Sequence, residues 1–382
     1  MSMLVLIDLA AAFDTIDHTI LLHRLQYSFG ISDVALSWFC SYLTDRTLRV
    51  CVNGKYSESS VQRYGVPQGS VLGPLLFTLY FSSISNVLNQ WNISHAIFAD
   101  DIQFYLSDDS SNIQSLTEKV KNCTVAIKNW MLSNKLMLND YKTDVLLVVP
   151  RKDSSHPSLP TIIDIGDDIN IPISDRVRDL GVVLDSNLTL EKWISDICRS
   201  TYFELRRISS VRRYLTFEST KLLVCSFVLS RLDYCNSLLV GLPKFQLQRL
   251  QRIQNHAARL IFKQPKWCHV TPLLKRLRWL PINARIDYKL ACLAYSFFNG
   301  HCSSFVSNSF VVYKPNRQLR STNDKRIFKL PSFRTISYGK RRFLYRAPVF
   351  WNSLPRSVRE LTSPIVFKRV LKCYMLNSLN FS

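Results

Sequence analysis

The chain lacks a long hydrophobic run. The longest uncharged stretch of its 382 residues begins near Gly65, and prolines, glycines and polar residues interrupt it before it could span a bilayer. The apolar N-terminus carries Asp8 and Asp14 too early for the hydrophobic region of a secretory signal. We therefore expect a soluble, intracellular protein, nuclear or cytoplasmic, with no membrane partner.

Paired cysteine motifs are also missing. The ten cysteines form no C-x-x-C pair and no Cys/His series, so the sequence supports neither a zinc ribbon nor a dithiol redox site. In an intracellular setting the thiols are expected to be reduced. There is no internal repeat and no low-complexity tract either, so an ordinary globular organisation is expected.

Acidic residues are scarce in the rear half. Residues 1–150 carry 10 Lys and Arg against 13 Asp and Glu, and residues 151–196 carry 5 against 9. Residues 197–382 carry 34 against 6, a net charge of +28 within a whole-chain net of +21. An excess of positive charge can serve solubility alone. Because this excess is sustained over the whole rear half, it indicates a polyanion-binding region, with nucleic acid as the favoured partner.

Two apolar, strand-like segments each carry carboxylates that a buried strand rarely contains. Residues 96–106 read AIFADDIQFYL, which predicts a hairpin with Asp100 and Asp101 at its tip, and residues 4–9 read LVLIDL around Asp8. Neighbouring side chains on a strand point to opposite faces, so the two adjacent acids cannot have the same role. Alone, the Asp-Asp pair would fit an ordinary turn equally well. Together, the segments predict a site for a hard divalent cation such as Mg²⁺, and hence phosphoryl transfer.

Hydrophobic periodicity predicts an α+β sheet domain at the front of the chain, with element order β-α-α-β-β-α-β-β-α-β over residues 1–149. Residues 71–88 are expected to form one helix, residues 113–132 an amphipathic helix, and Asn53-Gly54 a hairpin turn. Residues 151–160 read as a Ser/Pro-rich surface loop, and residues 177–184 as a single further strand.

Basic helical patterns follow, at residues 190–213, 217–229, 245–262 and 283–298. The arginines that stand among them are Arg206, Arg207, Arg212, Arg213, Arg249, Arg252 and Arg259. Residues 313–374 mix Lys and Arg with aromatic residues. This mixture suits phosphate contact with base stacking, and equally the aromatic packing of a small core.

Five segments occur in a fixed order: IDLAAAFDTIDH at residues 7–18, GVPQGSVLGP at 65–74, FADD at 98–101, LNDYKT at 138–143 and DLGV at 179–182. This series resembles the reverse transcriptases of LINE-type (non-LTR) retrotransposons. Three later segments resemble the chicken-repeat-like group of these elements: SRLDYCNS at residues 230–237, WLPI at 279–282 and WNSLP at 351–355.

The resemblance implies a polymerase palm, an antiparallel sheet with packed helices, over residues 1–187. A helical, basic, thumb-like region is expected at 188–300, and a basic aromatic C-terminal region at 301–382. A complete family member has fingers before the first motif and an endonuclease domain. Only seven residues precede Asp8, so the chain is expected to be N-terminally truncated, with the fingers missing.

The implied function is RNA-directed DNA polymerisation, the addition of dNMP from a dNTP to the 3′-hydroxyl of a DNA primer on an RNA template. The implied cofactors are two Mg²⁺ ions, with Mn²⁺ as an alternative, bound by Asp8, Asp100 and the Leu9 carbonyl. Asp101 is given a supporting role. Lys142 would protonate or neutralise the leaving pyrophosphate, although a plain solvated lysine fits equally well.

The same resemblance implies substrate contacts. Phe13 would stack under the incoming sugar and exclude a 2′-hydroxyl, or else simply pack in the core. Gln68 would approach the nucleotide, where Gly69 lets the backbone come close. Leu180 and Gly181 would contact the primer.

Two other functions remain open. One is a catalytically inactive remnant of a retrotransposon protein. Such a remnant would bind nucleic acid through its basic rear half, and its aspartates would have no catalytic role. An RNA polymerase with the same palm is a weaker alternative, because Phe13 disfavours ribonucleotides.

Overall fold

The computed structural model describes residues 1–149, 159–166, 169–314, 326–333, 339 and 341–378. It divides into two compact units, Met1–Leu188 and Thr189–Ser382. Most of the predicted Ser/Pro-rich loop, residues 151–158, lies outside the described residues. Among the described helices, none combines the length and the apolar character needed to cross a membrane.

The first unit is a mixed α and β structure built around one sheet. In chain order its elements are β1 (Ser2–Ile7), β2 (Leu9–Ala10), α1 (His18–Tyr27), α2 (Asp33–Leu43), β3 (Thr47–Leu48), β4 (Cys51–Val52), β5 (Lys55–Tyr56), β6 (Ser60–Val61), α3 (Gly73–Phe81), α4 (Ile84–Gln90), β7 (Ser94–Phe98), β8 (Asp101–Ser107), α5 (Ile113–Ser133), β9 (Met137–Leu138), β10 (Asp144–Val148), β11 (Ile162–Asp164), β12 (Asn170–Ser174), β13 (Arg176–Asp179) and β14 (Val182–Asp185). Six strands form the sheet in the order β11-β12-β10-β1-β8-β7, antiparallel except for the β10–β12 pair. The predicted α+β class is confirmed.

Strand β1 lies inside this sheet and determines which face carries the acids. Its residues Met3, Val5 and Ile7 are at most 2% exposed and belong to the core cluster that also contains the buried faces of α3 and α5. Because side chains alternate along a strand, Leu6 and Asp8 lie on the opposite face. The first motif therefore delivers Asp8 to the face of the sheet that this core does not cover.

The first unit contains the predicted hairpin and amphipathic helix, but one predicted helix is divided in two. Asn53 and Gly54 join β4 to β5 with φ values of 49° and 79°, so the predicted hairpin is confirmed. The predicted amphipathic helix at 113–132 is α5. The single helix predicted over residues 71–88 is wrong: it divides into α3 and α4 after Phe81. At the break, the Ser82 hydroxyl donates to the Leu79 carbonyl at 2.9 Å, a local bond that competes with continuing the helix.

The single strand predicted over residues 177–184 is also wrong. The segment is the hairpin β13–β14, in which Asp179 pairs with Val182 across the two-residue turn of Leu180 and Gly181. The φ values of these turn residues are 43° and 84°. Two consecutive positive φ values give the tight turn whose twist suits a two-residue hairpin.

The second unit is helical in its described part. Its elements are α6 (Glu191–Val211), α7 (Phe217–Val224), a π-helical turn (Cys225–Leu229), α8 (Ser230–Asp233), α9 (Lys244–Phe262), α10 (Thr271–Leu277), α11 (Ile282–Phe298), α12 (Ser304–Ser309), α13 (Phe343–Ser353), α14 (Arg356–Arg359) and α15 (Pro364–Ser378). The four predicted basic helices correspond to α6, to α7 with its π-helical continuation, to α9 and to α11.

Aromatic rings of the rear region pack against one another. Phe328 is 1% exposed, and its ring centroid lies 4.6 Å from that of Phe298 and 4.8 Å from that of Phe310. Trp351 is fully buried and stacks on Phe298 at 5.3 Å. Phe310, Phe328 and Trp351 are buried, so these three rings pack in the core and are not available for base stacking.

Arg212 is another basic residue that the fold itself uses. Its side chain is buried, and its guanidinium donates to the carbonyls of Leu260 at 3.0 Å, Ile261 at 2.7 Å and Leu215 at 2.8 Å. Carbonyls in the last turn of a helix have no intrahelical partners, so this cation stabilises the C-terminus of α9. Arg212 therefore does not belong to a polyanion-binding surface.

Candidate active site

Asp8 and Asp101 come together on the open face of the sheet. The register pairs Ile7 of β1 with Ile102 of β8, so Asp8 and Asp101 occupy the next position on these antiparallel strands. They line a cleft of about 360 Å³. The lining residues are Leu6, Ile7, Asp8, Asp101, Ile102, Gln103, Tyr141, Lys142, Asp144, Arg178, Asp179 and Leu180.

The cleft concentrates negative charge. Burial, followed by the negative charges of Asp100 and Asp8, raises the pKa of Asp101, and nearby Lys142 offsets part of this effect. Burial and the charge of Asp101 also raise the pKa of Asp179. The carboxylates therefore repel one another here, as expected of a site that binds a cation.

The segment after β9 fixes the position of Asp8. The Asn139 side-chain amide donates to Asp8 Oδ2 at 3.2 Å, and the Asn139 backbone N–H donates to the Asp8 carbonyl at 2.9 Å. Lys142 places its Nζ 3.4 Å from the same Oδ2. The LNDYKT segment thus orients the carboxylate and supplies its counter-charge.

Asp100 lies at the tip of the β7–β8 hairpin. Phe98 pairs with Asp101, which leaves Ala99, with a φ of 53°, and Asp100 as the two turn residues. The resemblance implies that Asp100 binds metal together with Asp8 and that Asp101 has a supporting role. The acid of this pair that lines the cleft is Asp101, because the register, and not alternation alone, decides which one faces the neighbouring strand.

The glycine-rich loop of the second motif is bonded to the loop of the first. The Gly65 N–H donates to the Ile16 carbonyl at 2.8 Å, and the Val66 N–H donates to the Phe13 carbonyl at 2.9 Å. The His18 ring Nε2 lies 2.7 Å from the Gly65 carbonyl oxygen. These bonds join the two motifs into one substructure.

The predicted substrate residues lie in or beside these loops. Gln68 is exposed, and its amide donates to both carboxylate oxygens of Asp14 at 3.1 Å. Gly69 has a φ of 83° and open space where a Cβ would stand. The ring of Phe13 packs 4.8 Å from that of Phe77 while remaining partly exposed.

The predicted primer-contact residues form the turn of the β13–β14 hairpin. Leu180 lines the cleft together with Asp8, and Gly181 completes the turn. The hairpin therefore brings the fifth motif to the carboxylate cluster.

The sequence pattern indicated no role in the site for Asn139, Asp14 or His18. All three lie inside the motif segments 7–18 and 138–143, and that position was the only indication of a functional role. Their partners are distant along the chain: Asn139 bonds Asp8 across 131 residues, and Asp14 bonds Gln68 across 54.

Comparison with known proteins supports the resemblance found in the motifs. Residues 2–184 match the family model for reverse transcriptase (RNA-dependent DNA polymerase). This match covers just under half of the chain. The LINE-type resemblance inferred from the motifs is confirmed.

Curated relatives of this reverse transcriptase domain come from insect mobile elements. The probable RNA-directed DNA polymerase from transposon BS of Drosophila melanogaster is 28% identical over 330 residues, covering 83% of this chain and 35% of that protein. That from the X-element of the same species is 27% identical, covering 67% of this chain and 28% of that protein. The chain thus spans about a third of the length of these relatives.

Among solved structures, telomerase from Candida tropicalis, in complex with a fragment of telomeric RNA, aligns over 76% of this chain and 47% of that chain. The identity is 13% and the TM-score 0.37. A likeness this low does not inform the site.

The donor set of the reverse transcriptase cleft fits Mg²⁺. Within the described residues, no three Asp, Glu, His or Cys side chains converge as a complete metal site. Magnesium commonly takes only one or two carboxylates and completes its octahedral shell with water and substrate phosphates. Asp8 and Asp101 supply two such carboxylates on adjacent strands, and Asp100 lies in the adjoining turn. Reverse transcriptases as a family generally use divalent metal ions.

Asp101→Asn is expected to raise the thermal stability of the metal-free protein at neutral pH. The folded state raises the pKa of Asp101, so ionisation of this group costs stability as pH rises above the ordinary aspartate pKa. Melting temperatures of the two proteins should converge in acid, where Asp101 is protonated in both folded and unfolded states, and diverge towards neutrality. Added Mg²⁺ should stabilise the wild type more than the variant. Equal melting curves at neutral pH would contradict the repulsion.

Proposed function

We propose that this chain is an RNA-directed DNA polymerase, which adds dNMP to the 3′-hydroxyl of a DNA primer paired with an RNA template. One observation carries the proposal: Asp8 and Asp101 meet on adjacent strands of a reverse transcriptase domain, in a cleft beside the Asp100 turn. Their mutual repulsion and the anchoring of Asp8 by Asn139 support a cation-dependent phosphoryl-transfer site.

We propose that Asp8, Asp100 and the Leu9 carbonyl hold two Mg²⁺ ions, with Asp101 as the supporting carboxylate that faces Asp8. Bound there, the ions would lower the pKa of the primer hydroxyl and neutralise the triphosphate. The chain's own contribution is positional. Asn139 holds the Asp8 carboxylate in a fixed orientation before substrate arrives, which avoids reorganisation during the reaction.

Lys142 is suited to meet the leaving pyrophosphate. Its side chain is 68% exposed, and its Nζ lies 3.4 Å from Asp8 Oδ2. A surface pair of this kind is weak, so the ammonium group can turn towards a phosphate at little cost. Lys142 would then neutralise the departing charge or donate a proton to it.

The loops of the first two motifs would hold the incoming nucleotide. Phe13 is anchored on Phe77 yet keeps part of its ring exposed, which suits a residue that the sugar rests on. Gln68 is already hydrogen-bonded to Asp14, so it is pre-positioned on the exposed side of the loop. Gly69 leaves open space for a close approach of substrate to the backbone.

Phe13→Ala is expected to weaken discrimination between dNTPs and rNTPs. The smaller side chain removes the surface that would exclude a 2′-hydroxyl, and the preference for dNTPs should fall by roughly tenfold or more. The measurement is the ratio of kcat/KM values for dATP and ATP on the same primer and template. Phe77→Leu, which perturbs the ring beneath Phe13 but leaves Phe13 in place, is the control. An unchanged ratio in Phe13→Ala would leave Phe13 with a packing role only.

The second unit would bind the nucleic acid. Between α6 and α9 lies a groove of about 480 Å³ that contains Arg206, Arg259 and Lys266 beside the rings of Tyr202 and His256. No carboxylate stands among its lining residues. Cations next to aromatic rings suit phosphate contact combined with base stacking.

Two measurements, each made on the wild type and on Asp100→Asn, distinguish polymerisation from nucleic-acid binding alone. RNA affinity of the wild type and of Asp100→Asn should be equal and should fall with salt, because phosphate contacts release counterions. Incorporation of dNTPs should occur only with the wild type. Binding without incorporation by either protein would favour the nucleic-acid-binding remnant over the polymerase.

A further inference from the structure

Two of the three later motifs, which the proposed polymerase chemistry does not use, meet at a cavity in the second unit. SRLDYCNS contributes α8 and the residues after it, and WLPI leads into α11. Together with α15, they enclose a cavity of about 270 Å³. Its lining residues are Asp233, Asn236, Leu280, Arg285, Tyr288, Lys289 and Lys372.

The one carboxylate that lines this cavity is already neutralised. Arg285 donates through Nε to Asp233 Oδ1 at 2.7 Å and through Nη2 to Asp233 Oδ2. Asn236 adds a longer bond to the same carboxylate at 3.4 Å. Since the charges of Arg285 and Asp233 cancel, Lys289 and Lys372 leave the cavity wall with a net charge of +2.

Lys372 lies in surroundings that disfavour its own charge. Its side chain is half-buried, and burial, followed by the positive charges of Arg285 and Arg278, lowers its pKa. Holding a partly desolvated ammonium among other cations costs free energy. An anion placed against Lys372 would recover that cost.

The walls of the cavity are held rigidly. Gln254 donates to the Leu280 carbonyl at 2.9 Å, and the Ile282 N–H donates to Gln251 Oε1 at 2.9 Å, so two side chains of α9 fix the start of α11. The helix that leads into α8, and so to Asp233, contains the π-helical turn Cys225–Leu229, a feature that often accompanies functional sites. The lysines are therefore presented by a preorganised frame rather than by loops.

We propose that this cavity binds a phosphate group between Lys289 and Lys372, with the neutralised Arg285–Asp233 pair as its floor. Its volume lies near the lower limit for small-molecule pockets, so it suits a phosphate with an adjoining sugar. The source that we favour is a phosphodiester of a nucleic acid strand, a choice that rests on the proposed function. The phosphate site itself does not depend on polymerisation.

The test uses the full chain with Lys289→Gln and Lys372→Gln combined. The matched control combines Lys244→Gln and Arg369→Gln, which removes two exposed cations of the same unit that do not line the cavity. The double variant should bind an RNA oligonucleotide about tenfold more weakly, and the slope of log affinity against log salt should fall by about one. The control should change both quantities far less.

A second arm identifies the source of the phosphate. Inorganic phosphate should raise the melting temperature of the wild type and of the control, but not of the cavity variant. If phosphate protects the wild type while RNA affinity is the same in all three proteins, free phosphate is the ligand and the nucleic-acid source is overturned. If the cavity variant matches the control in both arms, the site itself is overturned. Neither the RNA affinity nor the melting temperature is measured with dNTPs present, so both results can be interpreted even if the chain does not polymerise.

Discussion

Asp8→Asn is expected to lower the rate of primer extension by about a thousandfold, equivalent to about 4 kcal/mol of transition-state stabilisation. The amide has the shape of the carboxylate but cannot supply an anionic oxygen to a divalent cation. It can still hydrogen-bond to Asn139, so the fold around β1 should be retained. The measurement is single-turnover incorporation of one dNTP, with melting temperature as the check on folding.

Asp179→Asn is the matched control for that loss. Asp179 lines the same cleft and its pKa is likewise raised, but it lies on the β13–β14 hairpin and is assigned no metal ion. Its replacement removes an equal charge and should change the rate by less than about tenfold. Equal losses in the two variants would mean that the total charge of the cleft, and not the ligand at Asp8, governs the rate.

Gly65→Ala should destabilise the reverse transcriptase domain by about 2–4 kcal/mol. Gly65 has a φ of +84°, and a Cβ there would lie 2.9 Å from Asp14 Cα and 2.9 Å from the Phe13 carbonyl oxygen. Both are backbone atoms, so the contact can be relieved only by moving the loops of the first two motifs apart. Urea unfolding measures the stability, and primer extension should fall along with it because Phe13 and Gln68 lie on these loops.

Gly69→Ala separates crowding from backbone strain. Gly69 has a nearly identical φ of +83°, but nothing lies within 4 Å of where its Cβ would stand. Its substitution should cost only the strain of a positive φ, about 1 kcal/mol. A destabilisation of Gly65→Ala no larger than this would show that the close approach of the two loops is not required for folding.

The sequence predicted those features of the site that depend on local pattern. The single charge in the apolar LVLIDL segment indicated a strand on which Asp8 is functional. The alternation of side chains along a strand indicated that Asp100 and Asp101 have different roles. Alternation could not show which of the two faces Asp8, because that depends on the register of β1 with β8. The Asn139 contact joins residues 131 positions apart, and no local pattern encodes such a pairing.

The β13–β14 hairpin shows a different limit. The apolar pattern of residues 177–184 continues through the turn, and Leu180 is not a typical turn residue. Only Gly181 marked the place, and a single glycine is a weak signal. The prediction of a single strand was therefore wrong.

In the rear half, composition could not separate the surface from the core. Arg212 and Trp351 contribute to a basic, aromatic composition that is typical of nucleic-acid binding. One is buried against helix carbonyls and the other lies in an aromatic core. Sequence reports the residue type, whereas burial is decided by packing between helices far apart along the chain.

The most direct test of the central claim is primer extension on an RNA template with dNTPs and Mg²⁺, comparing the wild type with Asp100→Asn. We predict template-dependent extension by the wild type, its loss without Mg²⁺, and its loss in the variant despite equal RNA affinity and folding. Extension that persists in Asp100→Asn would contradict the proposal that Asp100 binds a catalytic metal ion. No extension by a folded, RNA-binding wild type would contradict the polymerase function of this chain.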